Sequence, residues 1–433
     1  MFKKYIQRKL EKSVKKYFKK HPEVKLVVVA GSVGKTSTKM AIATVLSQGL
    51  RVRLHEGNHN TEMSAPLAIL GVSYPKNIRS LKQWRVIFKA IRQRIKRPAD
   101  VDVIIQELGT DGPGQIPHFG TYLSPDIAVI TSVAPEHMEF FGTIEAVAVE
   151  ELAAANYSKL AIINRDDIDG VYANAITNSA ITTYGTTDMA EYRFESGDFM
   201  KLSGNEGMFI APEWEGGLAT TLHVLGEHST RAAVAAGAVA VKLGLDPSLI
   251  TTGLSAIRPV SGRMNVLRGI NETIIIDDTY NSSPLAIKSA LRTLYQMDAP
   301  QKIAVLGSMN ELGDVSPAAH QEVGRMCDGS QLSYVITVGE DAAKYLAPAA
   351  RENGCQVFSV RNAIEAGAYA NKLMEPGAIV FFKGSQGGIY LEEAVKIIIL
   401  SMDDEDKLVR QSPEWMKTKQ AHFEGQTFSP VSN

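Results

Sequence analysis

The chain has 433 residues, 45% of them hydrophobic and 21% charged, enough for two or three domains with sizeable cores. Its two cysteines, Cys327 and Cys355, exclude a disulfide framework or a four-cysteine metal knuckle. Without an apolar signal region or a run long enough to cross a bilayer, a cytoplasmic protein is expected. The net charge of −1 hides an asymmetry: residues 1–98 hold 23 Lys or Arg against 4 Asp or Glu, and the rest hold 23 against 43. Such a split predicts a basic surface on one part of the molecule.

Residues 1–20 carry nine Lys or Arg and one Glu. Phe2, Tyr5, Ile6, Leu10, Val14, Tyr17 and Phe18 recur at helical spacing, so a basic amphipathic helix is expected within 1–23. Lys25 to Ala30 reads as a buried strand. It runs into Gly31-Ser-Val-Gly-Lys-Thr-Ser37 and then a helix to about Ser47. Residues 76–97 hold nine Lys or Arg and no acid. There Leu81, Trp84, Phe88, Ile91 and Ile95 make an apolar stripe on a basic helix. That helix either packs on its own domain with a solvated basic face, or meets an anionic partner: a diphosphate-bearing substrate or the inner face of a membrane. No reader motif accompanies the charge, so nucleic acid ranks last.

Further strands are expected at 101–106, 126–131 and 160–163, ending at Glu107, near His137 and at Asn164-Arg-Asp-Asp167. Polar residues gather at strand ends, as at the ligand-binding edge of a parallel sheet. Residues 192–224 read as short antiparallel strands, followed by helices at 229–243 and 247–256. The first large domain, 24–260, is thus α/β with a mostly parallel sheet. A fresh alternation of four strands (272–277, 302–306, 334–338, 377–382) and four helices (284–297, 317–328, 362–373, 388–400) predicts a second, Rossmann-like α/β domain over 261–400. Residues 401–433 turn polar and read as a loosely held tail.

A glycine-rich turn between strand and helix lets backbone N–H groups close around phosphates. Lys35 then supplies a cation and Thr36 a hydroxyl for Mg²⁺. Val29 stands where the full P-loop pattern has glycine. Glu107 ends a buried strand, and a hard Mg²⁺ site needs such a carboxylate. Alone, Glu107 or His137 would read as a surface or structural residue.

The order is more specific than any one motif. GxxGKTS is followed by Gly57-Asn-His-Asn60, Glu107-Leu-Gly109 and His137-Met-Glu-Phe-Phe141. Then come Gly226-Glu-His228, Gly262-Arg-Met264, Asp277-Asp-Thr-Tyr-Asn-Ser-Ser-Pro284, Met309-Asn-Glu-Leu-Gly313 and Lys383-Gly-Ser385. Over about residues 24–400 this resembles the Mur ligase family, and within it the MurF type. The resemblance implies an ATP- and Mg²⁺-dependent carbon–nitrogen ligase working through an acyl phosphate. It further implies addition of D-alanyl-D-alanine to a cell-wall precursor by a monomeric enzyme of peptidoglycan biosynthesis.

Carried over by position, the resemblance puts Gly31, Ser32, Gly34, Lys35, Thr36 and Ser37 at the ATP phosphates. Thr36, Glu107 and His137 fall at metal, with Lys35, Glu107, His137 and Arg263 in the chemistry. Arg263, Asp278, Tyr280 and Asn281 fall at the nucleotide. Asn58 and Asn60 lie by the acyl substrate, and Asn310, Lys383 and Ser385 face the amine. Three features depart from the family. Only about 23 residues precede the first strand, so the usual UDP-gripping N-terminal domain is expected to be absent. Ser229 and Ala232 replace the asparagines after Gly-x-His. Glu151 stands where many members carry a carbamylated lysine, 14 residues after the histidine; it either serves as a metal-site carboxylate or is a solvated helix Glu. The alternative is a Mur-like ligase for a non-UDP acceptor, of polyglutamate or cyanophycin type. An accessory subunit of a larger complex would be expected to carry four zinc-binding cysteines.

Overall fold

The structure is a computed structural model. It describes residues 2–55, 57, 59–197 and 201–425, in two units: 1–258 and 259–433. In chain order the first unit contains α1 (Phe2–Lys20), β1 (Lys25–Ala30), α2 (Lys35–Leu46), β2 (Val52–Leu54), α3 (Ala65–Ile69), α4 (Leu81–Lys96) and β3 (Val103–Glu107). Next come α5 (Gln115–Gly120), β4 (Ile127–Ile130), α6 (Met138–Phe141), α7 (Ile144–Asn156) and β5 (Leu160–Asn164). The unit closes with β6 (Ile181–Gly185), β7 (Tyr192–Glu195), β8 (Asn205–Ile210), β9 (Leu218–Leu222), α8 (Glu227–Lys242) and α9 (Pro247–Ala256).

Among the described residues its strands form one sheet in the order β2-β3-β1-β4-β5-β6-β7-β8-β9, parallel except for the antiparallel β7–β8 and β8–β9 pairs. The β-branched run of β1 is buried on both faces, as a central parallel strand requires. Leu26, Val28 and Ala30 join the core shared with α1, α4 and α7. Val27 and Val29 join the one shared with α2, α8 and α9. Because successive strand side chains alternate in direction, one hexapeptide anchors both helical layers. The chain leaves β1 toward β2 and β3 on one side and later crosses to β4 on the other. The carboxyl end of β1 is therefore the topological switch point, where open α/β sheets bind ligands.

The second unit contains β10 (Asn265–Arg268), β11 (Ile274–Asp278), α10 (Pro284–Gln296), β12 (Lys302–Gly307), α11 (Ser316–Met326) and β13 (Tyr334–Val338). After these come α12 (Ala347–Glu352), β14 (Val357–Val360), α13 (Ala363–Leu373), β15 (Ile379–Lys383), α14 (Glu392–Ile398) and α15 (Pro413–Glu424). Its sheet order is β10-β11-β15-β12-β13-β14, with only β10–β11 antiparallel. The expected tail is not loosely held through its described part. Lys419 of α15 is 2% exposed and ion-paired to Glu392 (3.5 Å) and Glu393. Arg410 makes two hydrogen bonds to Glu392, at 2.8 and 2.7 Å. The polar composition misled because two of these cations sit on the buried Glu392 of α14.

Candidate active site

Gly31, at φ 124°, has no room for a side chain: a Cβ would lie 2.3 Å from Thr131 Oγ1. That close approach laces the loop to the strand beside it. Ser32 N donates to Ser132 O (3.0 Å), Val33 N to Ser132 Oγ (2.8 Å), and Ser32 Oγ to Ala134 O (3.1 Å). Gly34, at φ 88°, turns the chain into α2, and no side chain caps that helix start. Its first-turn N–H groups point where a phosphate is best received. The loop thus fits a nucleotide phosphate.

Lys35 Nζ folds back on the loop, donating to Gly31 O (2.5 Å) and Ser32 O (3.1 Å), and lies 3.7 Å from Glu136. At the end of β3, Glu107 is 4% exposed and gathers polar partners. Thr36 Oγ1 donates to its Oε2 (3.0 Å), Asn60 Nδ2 to its Oε1 (3.2 Å), and Lys39 Nζ pairs with Oε2 at 3.1 Å. The sequence brought Lys35, Thr36, Asn60 and Glu107 to one site, and the structure places the last three in contact. Lys39 was missed. It lies one helical turn after Lys35, hence on the same face of α2, but a helix lysine ordinarily reads as solvated. Asn58 lies outside the described residues.

His137 takes a left-handed conformation (φ 50°) at the start of α6, with Nε2 3.7 Å from Glu136. Glu136 so links His137 to Lys35. Among the described residues no three Asp, Glu, His or Cys side chains form a ready metal cluster, so Glu107, His137 and Glu151 do not converge as one ligand set. A Mg²⁺ ion keeps several waters and takes only one or two carboxylates plus substrate phosphates. Thr36 with Glu107 fits that requirement.

Glu151 is neither solvated nor grouped with Glu107. It is buried on α7, and its Oε2 accepts the Gly31 N–H at 2.7 Å. Burial pushes its carboxyl up to about 7, against the pull of Lys35 and the Gly31 N–H. The neighbouring Glu150 is buried too, accepting from Thr110 Oγ1 (3.2 Å), Gly114 N (2.7 Å) and Ile116 N (2.6 Å). Two adjacent carboxylates therefore hold the phosphate loop and the loop after Glu107. At the departure around Ser229 and Ala232, Arg231 binds Asp166 (2.9 Å) and Asp167 (3.0 Å) at the end of β5.

In the second unit Asp278 and Lys383, assigned above to nucleotide and amine, form a buried pair at 2.6 Å. Lys383 also donates to Asn281 O (3.1 Å). Burial raises the Asp278 carboxyl, and Lys383 draws it down. Asn310 N donates to Ser385 Oγ at 2.9 Å. The Arg263 guanidinium lies 4.2 Å from the Tyr280 ring centroid. Missed by the sequence reading, Arg410 donates to the Thr279 (2.7 Å) and Tyr280 (3.0 Å) carbonyls and so fixes the turn between Asp278 and Asn281.

A phosphate loop at the switch point, a lysine, and a hydroxyl beside a buried carboxylate define a P-loop nucleotide-binding enzyme. The Mur ligase middle domain matches residues 29–240, and the Mur ligase glutamate ligase domain matches 262–386. The chain belongs to the Mur ligase family, ATP- and Mg²⁺-dependent ligases that form amide bonds. It is 27% identical over 399 residues to the UDP-N-acetylmuramoyl-tripeptide–D-alanyl-D-alanine ligase of Bacillus subtilis, covering 87% of this chain and 76% of that protein. The fold is similar to MurF from Acinetobacter baumannii, with a TM-score of 0.75 at 22% identity over 90% of this chain and 80% of that one. It is likewise similar to MurF ligase from Thermotoga maritima in complex with ADP, with a TM-score of 0.72 at 22% identity over 90% and 83%.

Proposed function

We propose that this chain joins D-alanyl-D-alanine to the peptide carboxylate of a cell-wall precursor. The observation that carries the reading is the contact of Thr36, Lys39 and Asn60 with Glu107 beside the phosphate loop, in a chain matched across both catalytic domains. The named activity of the Bacillus subtilis relative supports the choice of substrates. In this reaction the acceptor carboxylate oxygen takes the γ-phosphoryl group, and ADP leaves. The amine nitrogen then attacks the acyl carbon, loses a proton, and phosphate departs with the carboxylate oxygen. Lys35 and the α2 N-terminus offset the charge that develops on the transferred group. Thr36 and Glu107 would hold Mg²⁺, whose chemistry is to neutralise phosphate charge. Arg263, Asp278, Tyr280 and Asn281 are assigned to nucleotide, and Asn310, Lys383 and Ser385 to the amine.

The test is phosphate release with purified protein, ATP and a panel of acceptor–amine pairs. Release that needs both a muramoyl-tripeptide acceptor and D-alanyl-D-alanine is expected. Release with glutamate chains, and none with the muramoyl pair, would transfer the reading to a polyglutamate-type ligase. The finer placement of the monomeric enzyme, at the inner face of the membrane, is supported by the exposed cations of α1 and α4.

A further inference from the structure

α1 and α4 lie side by side on one face of the first sheet. Ile6, Leu10, Val14 and Tyr17 of α1 and Trp84, Phe88 and Ile91 of α4 enter the same core. Lys9 Nζ sits 4.2 Å from the Phe88 ring centroid, and His21 Nε2 meets Ile95 O at 3.2 Å. Both contacts advance in the same sense along the two helices, so the pair runs parallel. Their first residues therefore lie toward one end.

Apart from Arg94, the cations on this pair turn outward, and its one acid turns inward. All nine Lys and Arg residues of α1 are exposed, among them Lys12, Lys16 and Lys20. On α4, Lys82, Arg85, Lys89, Arg92 and Lys96 are exposed, and α4 has no acid. Glu11, the only acid of α1, is drawn under the helix: it accepts from Gln7 Nε2 (3.0 Å) and lies 2.8 Å from His118 Nε2. Arg94 pairs with Asp100. None of the other α1 and α4 cations has an ion pair among the described residues. A like-charged surface of this density repels itself and loses stability unless an anionic surface neutralises it. Exposed apolar side chains stand among the cations: Phe2 and Tyr5 at the start of α1, Leu81 and Val86 at the start of α4.

We propose that the outer face of the α1–α4 pair docks on an anionic lipid bilayer. Charge spread along the exposed length of two helices suits a surface better than a single diphosphate group. The apolar residues at one end of the pair would enter the headgroup layer while the cations meet lipid phosphates. A chain of net charge −1 with mixed charges would be indifferent to such a surface. Docking stands apart from the ligase reading, because it needs neither ATP nor acceptor.

The test uses the full chain and vesicle co-sedimentation. Vesicles of phosphatidylcholine alone are compared with vesicles containing roughly one third phosphatidylglycerol. Binding to the anionic vesicles is expected, weaker by about tenfold or more on neutral ones, and lost at about 0.5 M salt because exposed charges are screened. The triple variant Lys12→Glu, Lys16→Glu, Lys20→Glu changes only exposed residues, and it should lose binding while keeping its melting temperature and its phosphate release with soluble substrates. Three results would overturn the proposal: no binding to anionic vesicles at low salt, undiminished binding by the triple variant, or displacement from vesicles by millimolar inorganic pyrophosphate. The last would identify a discrete diphosphate site in place of a membrane surface.

Discussion

Glu107 and Lys39 show how one side chain joins stability to chemistry. Both are buried, and each is the other's counter-ion at 3.1 Å. Removing one partner of such a pair leaves an uncompensated buried charge, at a cost of roughly 3–5 kcal/mol. Glu107→Ala should therefore lose both ligation and melting temperature. Lys35 donates to the loop carbonyls of Gly31 and Ser32 and lies 3.7 Å from the partly exposed Glu136, a looser pairing than the Lys39–Glu107 contact, so its neutral replacement leaves a smaller deficit. Lys35→Ala should lower turnover by about 10²–10³ with the melting temperature nearly unchanged. Phosphate release and thermal unfolding, measured on both variants, check the contrast; near-normal ligation by Lys35→Ala would remove the P-loop assignment. Glu151 adds a pH test. Its carboxyl is raised to about 7 in the fold, so between its unfolded value near 4.5 and about 7 the native state holds a proton the unfolded state has released. Stability from this group therefore falls as pH rises through that window, and is unaffected below it. Glu151→Gln keeps an acceptor for the Gly31 N–H but cannot ionise. Its stability relative to wild type should rise from pH 4.5 to 7 in urea titrations, and a constant difference would contradict the buried, proton-holding state.

Among the elements, the C-terminal segment has the clearest structural assignment. Arg410 sits in a left-handed conformation (φ 57°), which a non-glycine residue keeps only when its surroundings over-determine it. Here they do: the guanidinium donates to Glu392, the Thr279 carbonyl and the Tyr280 carbonyl. Through these bonds the segment after α14 steadies the Asp278–Asn281 turn, and α15 is pinned by Lys419. Arg410→Ala should destabilise the second unit by roughly 1.5–3 kcal/mol, since buried Glu392 loses its two charged hydrogen bonds while Lys419 still pairs with it. The same variant should raise KM for the nucleotide or amine more than it lowers turnover, because the turn is displaced and not removed. Denaturant titration with steady-state kinetics decides it; unchanged stability would mean that Arg410 only decorates the surface.

For the molecule as a whole, the division into two units has a thermodynamic consequence. Each unit has its own sheet and its own buried core. The phosphate loop belongs to the first unit alone. A non-hydrolysable ATP analogue with Mg²⁺ should therefore raise the unfolding transition of the first unit, by about 2.7 kcal/mol at a hundredfold excess over Kd. Scanning calorimetry with and without the analogue tests this, and Lys35→Ala should abolish most of the shift. An analogue that leaves every transition in place would mean that the loop does not bind nucleotide.

The sequence by itself determined the two α/β domains, because parallel strands buried on both faces leave uninterrupted apolar runs such as Leu26–Ala30. It determined the phosphate loop for a related reason: glycine at 31 and 34 answers local backbone demands that no partner elsewhere can change. It also marked Glu107 and His137, since strand ends are where a parallel sheet exposes polar groups. Long-range geometry decided the rest. Lys39 and Glu107 are far apart in the chain, and only the β1–β3 pairing makes a helix lysine the counter-ion of a strand-end carboxylate. Glu150 and Glu151 have the composition of a solvated helix face, yet α7 packs that face under two loops whose N–H groups need acceptors. Arg410 and Lys419 were misleading for the same reason: polar residues look solvent-facing until tertiary structure brings a buried partner of opposite charge or an unsatisfied backbone group within hydrogen-bonding distance.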